Sequence, residues 1–402
     1  MTALGSAEAE LTASATDTWR GHFSWLVYAM FVVLLGSTVP TPLYDLYRAE
    51  WHTSTFTMTV VFASYVVGVL AALVFGGHLS DYIGRRPVAL VAALFVFASA
   101  LVFEFATNVL ELNVARLLTG LGVGLCAGAV TSALRDLHPN PAHGALASSV
   151  ATSGGLAAGP LLGGLAARWA PFPLHTVYLG YLVLLVIALI AVVRVPETGC
   201  RRRPVPWQPR IGVPHSLRRQ FVRPALAVCC AYAVNGLYSA LAPTVAREYL
   251  GASVLVGSLT VVLMLGVSAV AQVALHARPA HRAQREGLWL LTAGLLLVLP
   301  ALSWHSPTVF AGATAVTGLG QGLAFRGSLT LVSETAPAAD KGRMISAYYV
   351  GAYVATAVPV LAVGAIAEEA GLFTACAAFV AAIGATALAT TTTFSRSARK
   401  PQ

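Results

Sequence analysis

The chain has 402 residues, of which 57% are hydrophobic and only 10% charged, with a mean hydropathy of +0.74. Soluble domains average about 25% charged residues, so this chain has too little polar side chain to cover a globule, and the composition excludes a soluble protein. The formal net charge of +9 sits in loops between apolar stretches, where basic residues set membrane topology; it is no nucleic-acid-binding surface.

The first 20 residues are polar, with Glu8, Glu10 and Asp17 and no basic n-region, so no cleavable signal peptide is expected. A membrane span needs about 20 mostly apolar residues. The hydropathy pattern predicts twelve: 23–46, 56–79, 87–105, 109–134, 145–168, 173–194, 224–247, 253–276, 287–304, 307–333, 344–366 and 371–393. The fold class is therefore all-α, a membrane protein of twelve transmembrane helices. The expected organisation is a tail over 1–22, a six-helix bundle over 23–194, a basic linker over 195–223, a second six-helix bundle over 224–393 and a tail over 394–402. Twenty of the 25 Lys and Arg residues fall on the side of the linker, Arg48, Arg168 and Arg247 fall opposite, and Arg116 and Arg326 lie within spans. That asymmetry predicts cytoplasmic termini. Cys126, Cys229, Cys230 and Cys376 lie in apolar segments and Cys200 in the basic linker; no extracytoplasmic disulfide is expected.

An internal repeat supports two halves. Thr119-Gly120-Leu121-Gly122-Val123-Gly124-Leu125 recurs 198 residues later as Thr317-Gly318-Leu319-Gly320-Gln321-Gly322-Leu323. The same offset carries Asp136 onto Glu334, Pro139 onto Pro337, Gly144 onto Gly342 and Ser148 onto Ser346. Parallel repeats of six spans mark one large transporter architecture.

Between spans two and three runs Gly77-His78-Leu79-Ser80-Asp81-Tyr82-Ile83-Gly84-Arg85-Arg86-Pro87. Gly77 and Gly84 permit close approach or positive φ. Asp81 can accept hydrogen bonds at a helix N-terminus, and Arg85 and Arg86 hold the turn on the cytoplasmic side. This G-x-L-x-D-x-x-G-R-R pattern resembles the loop 2–3 signature of the major facilitator superfamily. The resemblance implies that the loop latches the outward-facing state by docking Asp81 onto another helix. The second half keeps the charge of this loop, with Arg282, but loses the Asp–Gly pattern.

Two more first-half stretches are similar to motifs of that family. Arg116-Leu117-Leu118-Thr119-Gly120-Leu121-Gly122 matches R-x-x-x-G-x-G in span four, whose Arg the resemblance links to proton coupling. A cation at membrane depth costs about 2.5–3.5 kcal/mol on insertion scales; the alternative is that Arg116 snorkels to the outer end. Gly155, Gly159, Pro160, Gly163 and Gly164 match G-x-x-x-G-P-x-x-G-G in span five, the motif of the antiporter branches. Glycines spaced by four form a flat stripe for close helix packing, and Pro160 removes a backbone hydrogen bond.

Asp45 closes span one behind Pro40 and Pro42 and is a candidate proton site; the alternative is an interfacial Asp exposed to water. Arg326 lies eight residues before Glu334, about 12 Å deep at 1.5 Å per residue. It is expected to face the central cavity and hold an anionic group of the substrate, or else to pair with Glu334 or a helix C-terminus. Asp136 and Glu334 are candidate gate charges, Asp136 with Arg85 and Glu334 with Arg278 or Arg282. Asn235, Gln272, Gln321, Tyr238 and Tyr349 are candidate cavity-lining residues, in the company of Tyr232, Tyr348 and Tyr353.

No nucleotide-binding loop and no metal-ligand motif is present, so no catalytic residue, metal or cofactor is expected, and an ion gradient is the expected energy source. The expected partners are a small-molecule substrate, protons and the lipid bilayer, with no nucleic acid, and the chain is expected to act as a monomer in the bacterial inner membrane. The resemblance implies export of a drug, antibiotic or metabolite by proton antiport. The alternative is an importer or uniporter of a small nutrient on the same fold.

Overall fold

The computed structural model describes residues 2–76, 79–199, 212–337 and 340–397. Gly77 and linker residues 200–211 fall outside them, as does the side chain of Asp81. The helices are α1 (Thr2–Leu35), α2 (Tyr44–Trp51), α3 (Thr55–Ala71), α4 (Leu79–Ile83), α5 (Arg85–Glu104), α6 (Val109–Leu137), α7 (Pro141–Trp169), α8 (Pro173–Arg194), α9 (Arg218–Leu250), α10 (Val254–Ala274), α11 (Ala280–Ser303), α12 (Pro307–Thr335), α13 (Lys341–Ala370) and α14 (Leu372–Ser397). Among the described residues eleven helices are long and apolar enough to cross a membrane, and Trp19–Leu35 of α1 is a shorter apolar helix. The protein is all-α.

The first span differs from its prediction. One helix is expected over 23–46, loosened near its outer end by Pro40 and Pro42. Instead α1 stops at Leu35, residues 36–40 turn, and a short 3-10 turn over Thr41–Leu43 leads into α2. Pro40 and Pro42 supply no N–H, so the helical ladder cannot run through this stretch. The linker is also shorter than 195–223, because α9 already begins at Arg218.

The repeat is visible in how the helices start and pack. Four of the helices that start opposite the linker, at the distal end, have polar caps. Ser54 accepts from Thr57 N at the start of α3, and Ser253 from Val256 N at the start of α10. Asn108 accepts from Glu111 N before α6, and Ser306 from Val309 N before α12. Each satisfies a backbone donor that the helix leaves open.

The duplicated G-x-G-x-G does the same work twice. A Cβ on Gly120 or Gly124 would strike α3, and one on Gly122 would strike Ala92 and Val96 of α5. In the second half Gly318 and Gly322 press on Met264 and Ser268 of α10, and Gly320 on Leu291 of α11. One glycine row thus seats α6, and again α12, between two neighbours at backbone contact. Gly120→Ala is expected to lose about 1–3 kcal/mol of stability through overpacking. Gly266→Ala, whose Cβ meets nothing within 4 Å, is the neutral control; thermal unfolding in detergent measures both.

The halves meet along two seams, α7 against α10 and α3 against α13. By the repeat these seams are counterparts of each other, span five on eight and two on eleven.

Candidate functional site

At the distal end the ends of α2 and α9 face each other across the two halves. Asp45 is not exposed to water, as the interfacial reading had it; it is buried, at 3% exposure. Its Oδ1 accepts from Thr244 Oγ1 at 2.9 Å and lies 3.5 Å from Arg247 Nη2 and 3.8 Å from Arg48 Nη2. Arg48 reaches on to Glu248 at 3.0 Å. A second tie joins the open N-terminus of α3 to α13, with Phe56 N donating to Glu368 Oε1 at 3.1 Å, a carboxylate where the helix dipole favours one. Two arginines and three acids, drawn from both halves, join the halves at this end.

Arg116 does not snorkel. It is fully buried in the first bundle, with Nη1 donating to the Ser37 carbonyl at 2.7 Å. Its guanidinium lies over the rings of Tyr65, at 4.7 Å, and Phe62, at 5.7 Å. Nε and Nη2 have no protein partner. Tyr65 in turn meets Tyr353 of α13 across the seam. Tyr353 packs edge-on against Tyr232, which adjoins Phe325. Asn235, one turn along α9 from Tyr232, has a buried Oδ1 without a partner. Tyr349 packs against Tyr348 on the same side. The lining between the halves is therefore aromatic, with one cation behind it.

The other expected cavity residues lie elsewhere. Arg326 donates Nη1 to Leu275 O at 2.8 Å and Nη2 to His276 O, so it caps the end of α10 and does not face the seam. Gln321 and Gln272 close on Ser268 inside the second bundle. Tyr238 does so with Thr314 at 3.2 Å. These groups satisfy one another where α9, α10 and α12 pack, which polar side chains in an apolar bundle must do.

At the linker end Arg85 pairs with Asp136 and donates to Ser132 O at 2.9 Å. Arg86 caps the end of α8 at Val193 O. Glu334 is exposed, and Arg278 pairs with Glu286 instead. Sequence reasoning misses Glu197. Its carboxylate accepts from the backbone N–H of Arg85 at 2.8 Å, Arg86 at 3.2 Å and Gly199 at 2.8 Å, and so caps α5 beside Gly84, whose φ is +106°. An acid set three residues beyond α8, near two arginines whose helix start offers no side-chain cap, was the available signal.

The antiporter-type stripe lies on α1. Gly155, Gly159 and Gly163 press on the carbonyls of Phe31, Leu35 and Val39, and Gly164 faces Ser258 of the other half. Among the described residues no group of three or more His, Cys, Asp or Glu side chains is placed to hold a metal ion.

The family model described as Major Facilitator Superfamily matches residues 26–300 and 224–402. The chain belongs to the major facilitator superfamily of transporters. It is similar to the 4-hydroxybenzoate transporter PcaK of Pseudomonas aeruginosa, 32% identical over 154 residues, which is 37% of this chain and 34% of that one. It is also similar to the multidrug resistance protein MdtL of Escherichia coli, 38% identical over 89 residues, 22% of each chain. These alignments span about a third and about a fifth of the relatives' lengths. A solved D-xylose–proton symporter shares the fold, with a TM-score of 0.70 at 16% identity over 92% of this chain and 95% of that one.

Proposed function

We propose that this chain exports a small organic compound from a bacterial cell in exchange for protons, acting as a monomer by alternating access. The linker end is cytoplasmic in this reading, because the basic residues gather there. The closed distal end then corresponds to an inward-facing state, with Asp45 and its arginines as the outer gate. The Gly77–Arg86 loop biases the opposite state, and Asp81 is its latch. The observation that carries the export reading is the G-x-x-x-G-P-x-x-G-G row of α7, seated on α1 directly beside the segment that bears the gate. The similarity to a multidrug resistance protein supports it.

A second reading is favoured by Arg116 among aromatic rings and by the similarity to a 4-hydroxybenzoate transporter: uptake of an aromatic acid. One experiment separates the two. In inside-out vesicles the respiratory chain acidifies the lumen and quenches a pH-sensitive dye, and a compound panel that includes 4-hydroxybenzoate is added. Recovery of the dye that requires the protein, and is lost in Asp81→Asn, is the result expected of an antiporter. No recovery with any compound, together with uptake of a radiolabelled acid and alkalinisation of the medium by intact cells, overturns export in favour of import.

A further inference from the structure

The distal half of the first bundle contains a cluster of polar atoms that lies outside the gate and meets the aromatic seam only through Arg116. Tyr44, Tyr47, Tyr178, Glu104 and Arg116 are each more than nine-tenths buried. The hydroxyls of all three tyrosines, Glu104 Oε2 and Arg116 Nε and Nη2 have no protein partner. The Tyr47 and Tyr178 hydroxyls lie close together without closing a hydrogen bond. Tyr44 and Arg116 lie within electrostatic range of this pair, and Glu104 within that of Tyr47. A buried polar atom left without a partner costs about 1–3 kcal/mol. Several such atoms in one region are what internal waters satisfy.

The repeat provides a comparison within the same molecule. The helices that hold this cluster are α1–α2, α5, α6 and α8, and their counterparts are α9, α11, α12 and α14. Those four enclose an apolar cavity lined by Leu241, Val245, Leu295, Val298, Phe310 and Cys376. Arg116 itself maps onto Thr314, which closes on Tyr238 at the edge of that cavity. The shared architecture therefore does not require polar groups at this place.

Glu104 stands at the mouth of this cluster. His175 Nδ1 lies 3.2 Å from both Glu104 Oε1 and the Glu104 backbone carbonyl. The His175 side chain is 59% exposed while that of Glu104 is 9% exposed. One carboxylate oxygen thus faces a surface imidazole and the other faces inward. The charged and titratable groups about Glu104 are His175 from α8 and Tyr47 from α2, with the exposed Glu50 on the same helix; Tyr178 and Arg116 lie on the far side of Tyr47.

We propose that Glu104 is a proton-binding site of the transport cycle, loaded from the distal side beside His175 and opening onto a hydrated chamber lined by Tyr178, Tyr47 and Tyr44. The proton adds to Oε2 from distal water, while Oε1 keeps its contact with His175. Glu104 becomes neutral, and Oε2 turns from an acceptor without a partner into a donor toward the tyrosine hydroxyls. On release the same proton passes to chamber water, and the carboxylate is restored. His175 is a positioning residue in this scheme. The site rests on the proton-coupled reading for its role, but not for its existence.

Infrared difference spectroscopy on the reconstituted full-length protein tests the site without a substrate. A pH step is expected to raise a protonated-carboxyl C=O band in the wild type. The band is expected to be absent in Glu104→Gln, retained in Glu104→Asp and Asp45→Asn, and moved along the pH axis in His175→Asn. A band unchanged in Glu104→Gln overturns the proposal. With a compound that restores dye fluorescence in vesicles, Glu104→Gln is expected to slow proton-driven flux about a hundredfold, the usual size of a proton-transfer role, and to leave substrate–substrate exchange intact. Loss of both rates alike would mean a structural role and would also overturn it. Wild-type vesicles that move no protons with any compound would sink the antiport reading, and the infrared band would still decide the site.

Discussion

Asp45→Asn is expected to open the distal gate. Asn keeps the shape of the side chain and the acceptor for Thr244, so the fold is retained. It removes the one buried charge that both Arg48 and Arg247 approach. The cluster then holds two arginines against Glu248 alone, and the arginines repel across the seam they had closed. A partner removed from a buried pair leaves its counter-charge without compensation; here Arg247, at 38% side-chain exposure, keeps part of its hydration. A tenfold rise in the distal-open population, about 1.4 kcal/mol, is the expected size. Spin labels at Glu50→Cys and Glu369→Cys, exposed positions on opposite halves, measure it in a background without the native cysteines. The inter-label distances are expected to lengthen on Asp45→Asn and again on Arg247→Gln. Unchanged distances in both variants would show that these charges do not hold the gate.

Arg116→Gln is expected to abolish transport and to leave the protein at least as stable. A guanidinium buried without a carboxylate is costly, and only the Ser37 carbonyl and two ring faces offset it. Replacing such a group by a neutral one relieves desolvation, and buried ionic groups are often replaced without loss of stability. Its retention points to work in the cycle, because sites that break a local rule are usually functional. Transport is expected to fall by about a hundredfold or more, in line with the loss of a positioned charge from a site. Arg116→Lys is expected to recover little, since a lysine cannot bond Ser37 O and lie flat on two rings together. Vesicle flux and thermal unfolding of the purified protein check the two halves of this statement. Flux retained in Arg116→Gln would refute it.

Much of the architecture was legible because it is written locally. Span positions follow from runs of apolar residues, and the two halves follow from a glycine row whose packing needs no partner beyond the next helix. The break in the first span was legible only in part: Pro40 and Pro42 read as loosening the helix, but not as ending it. The burial of Asp45 was hidden, because Thr244, Arg247 and Glu248 lie some 200 residues away in sequence. For Arg326 the sequence left two readings open, and the structure has the second: the open carbonyls at the end of α10 satisfy its guanidinium as a carboxylate would. Glu104 reads in sequence as a residue near the outer end of its span, and nothing there links it to tyrosines on α2 and α8.

The Glu197 cap has a consequence for how the protein is made. Chains enter the membrane N-terminus first, and units complete in sequence fold ahead of later ones. Glu197 is the last residue to emerge among those that fasten the linker end of the first bundle, and it closes on Arg85 and Arg86, made more than a hundred residues earlier. By then Arg86 already has Val193 to hold, and Arg85 has Asp136. The first half is thus tied off at that end before any residue of α9 exists. What must wait for the second half is the two seams and the distal end, where Asp45, Arg48 and the start of α3 remain unmatched until Thr244, Arg247, Glu248 and Glu368 arrive. The bonds made last in biogenesis are the same ones that the proposed transport cycle breaks and remakes.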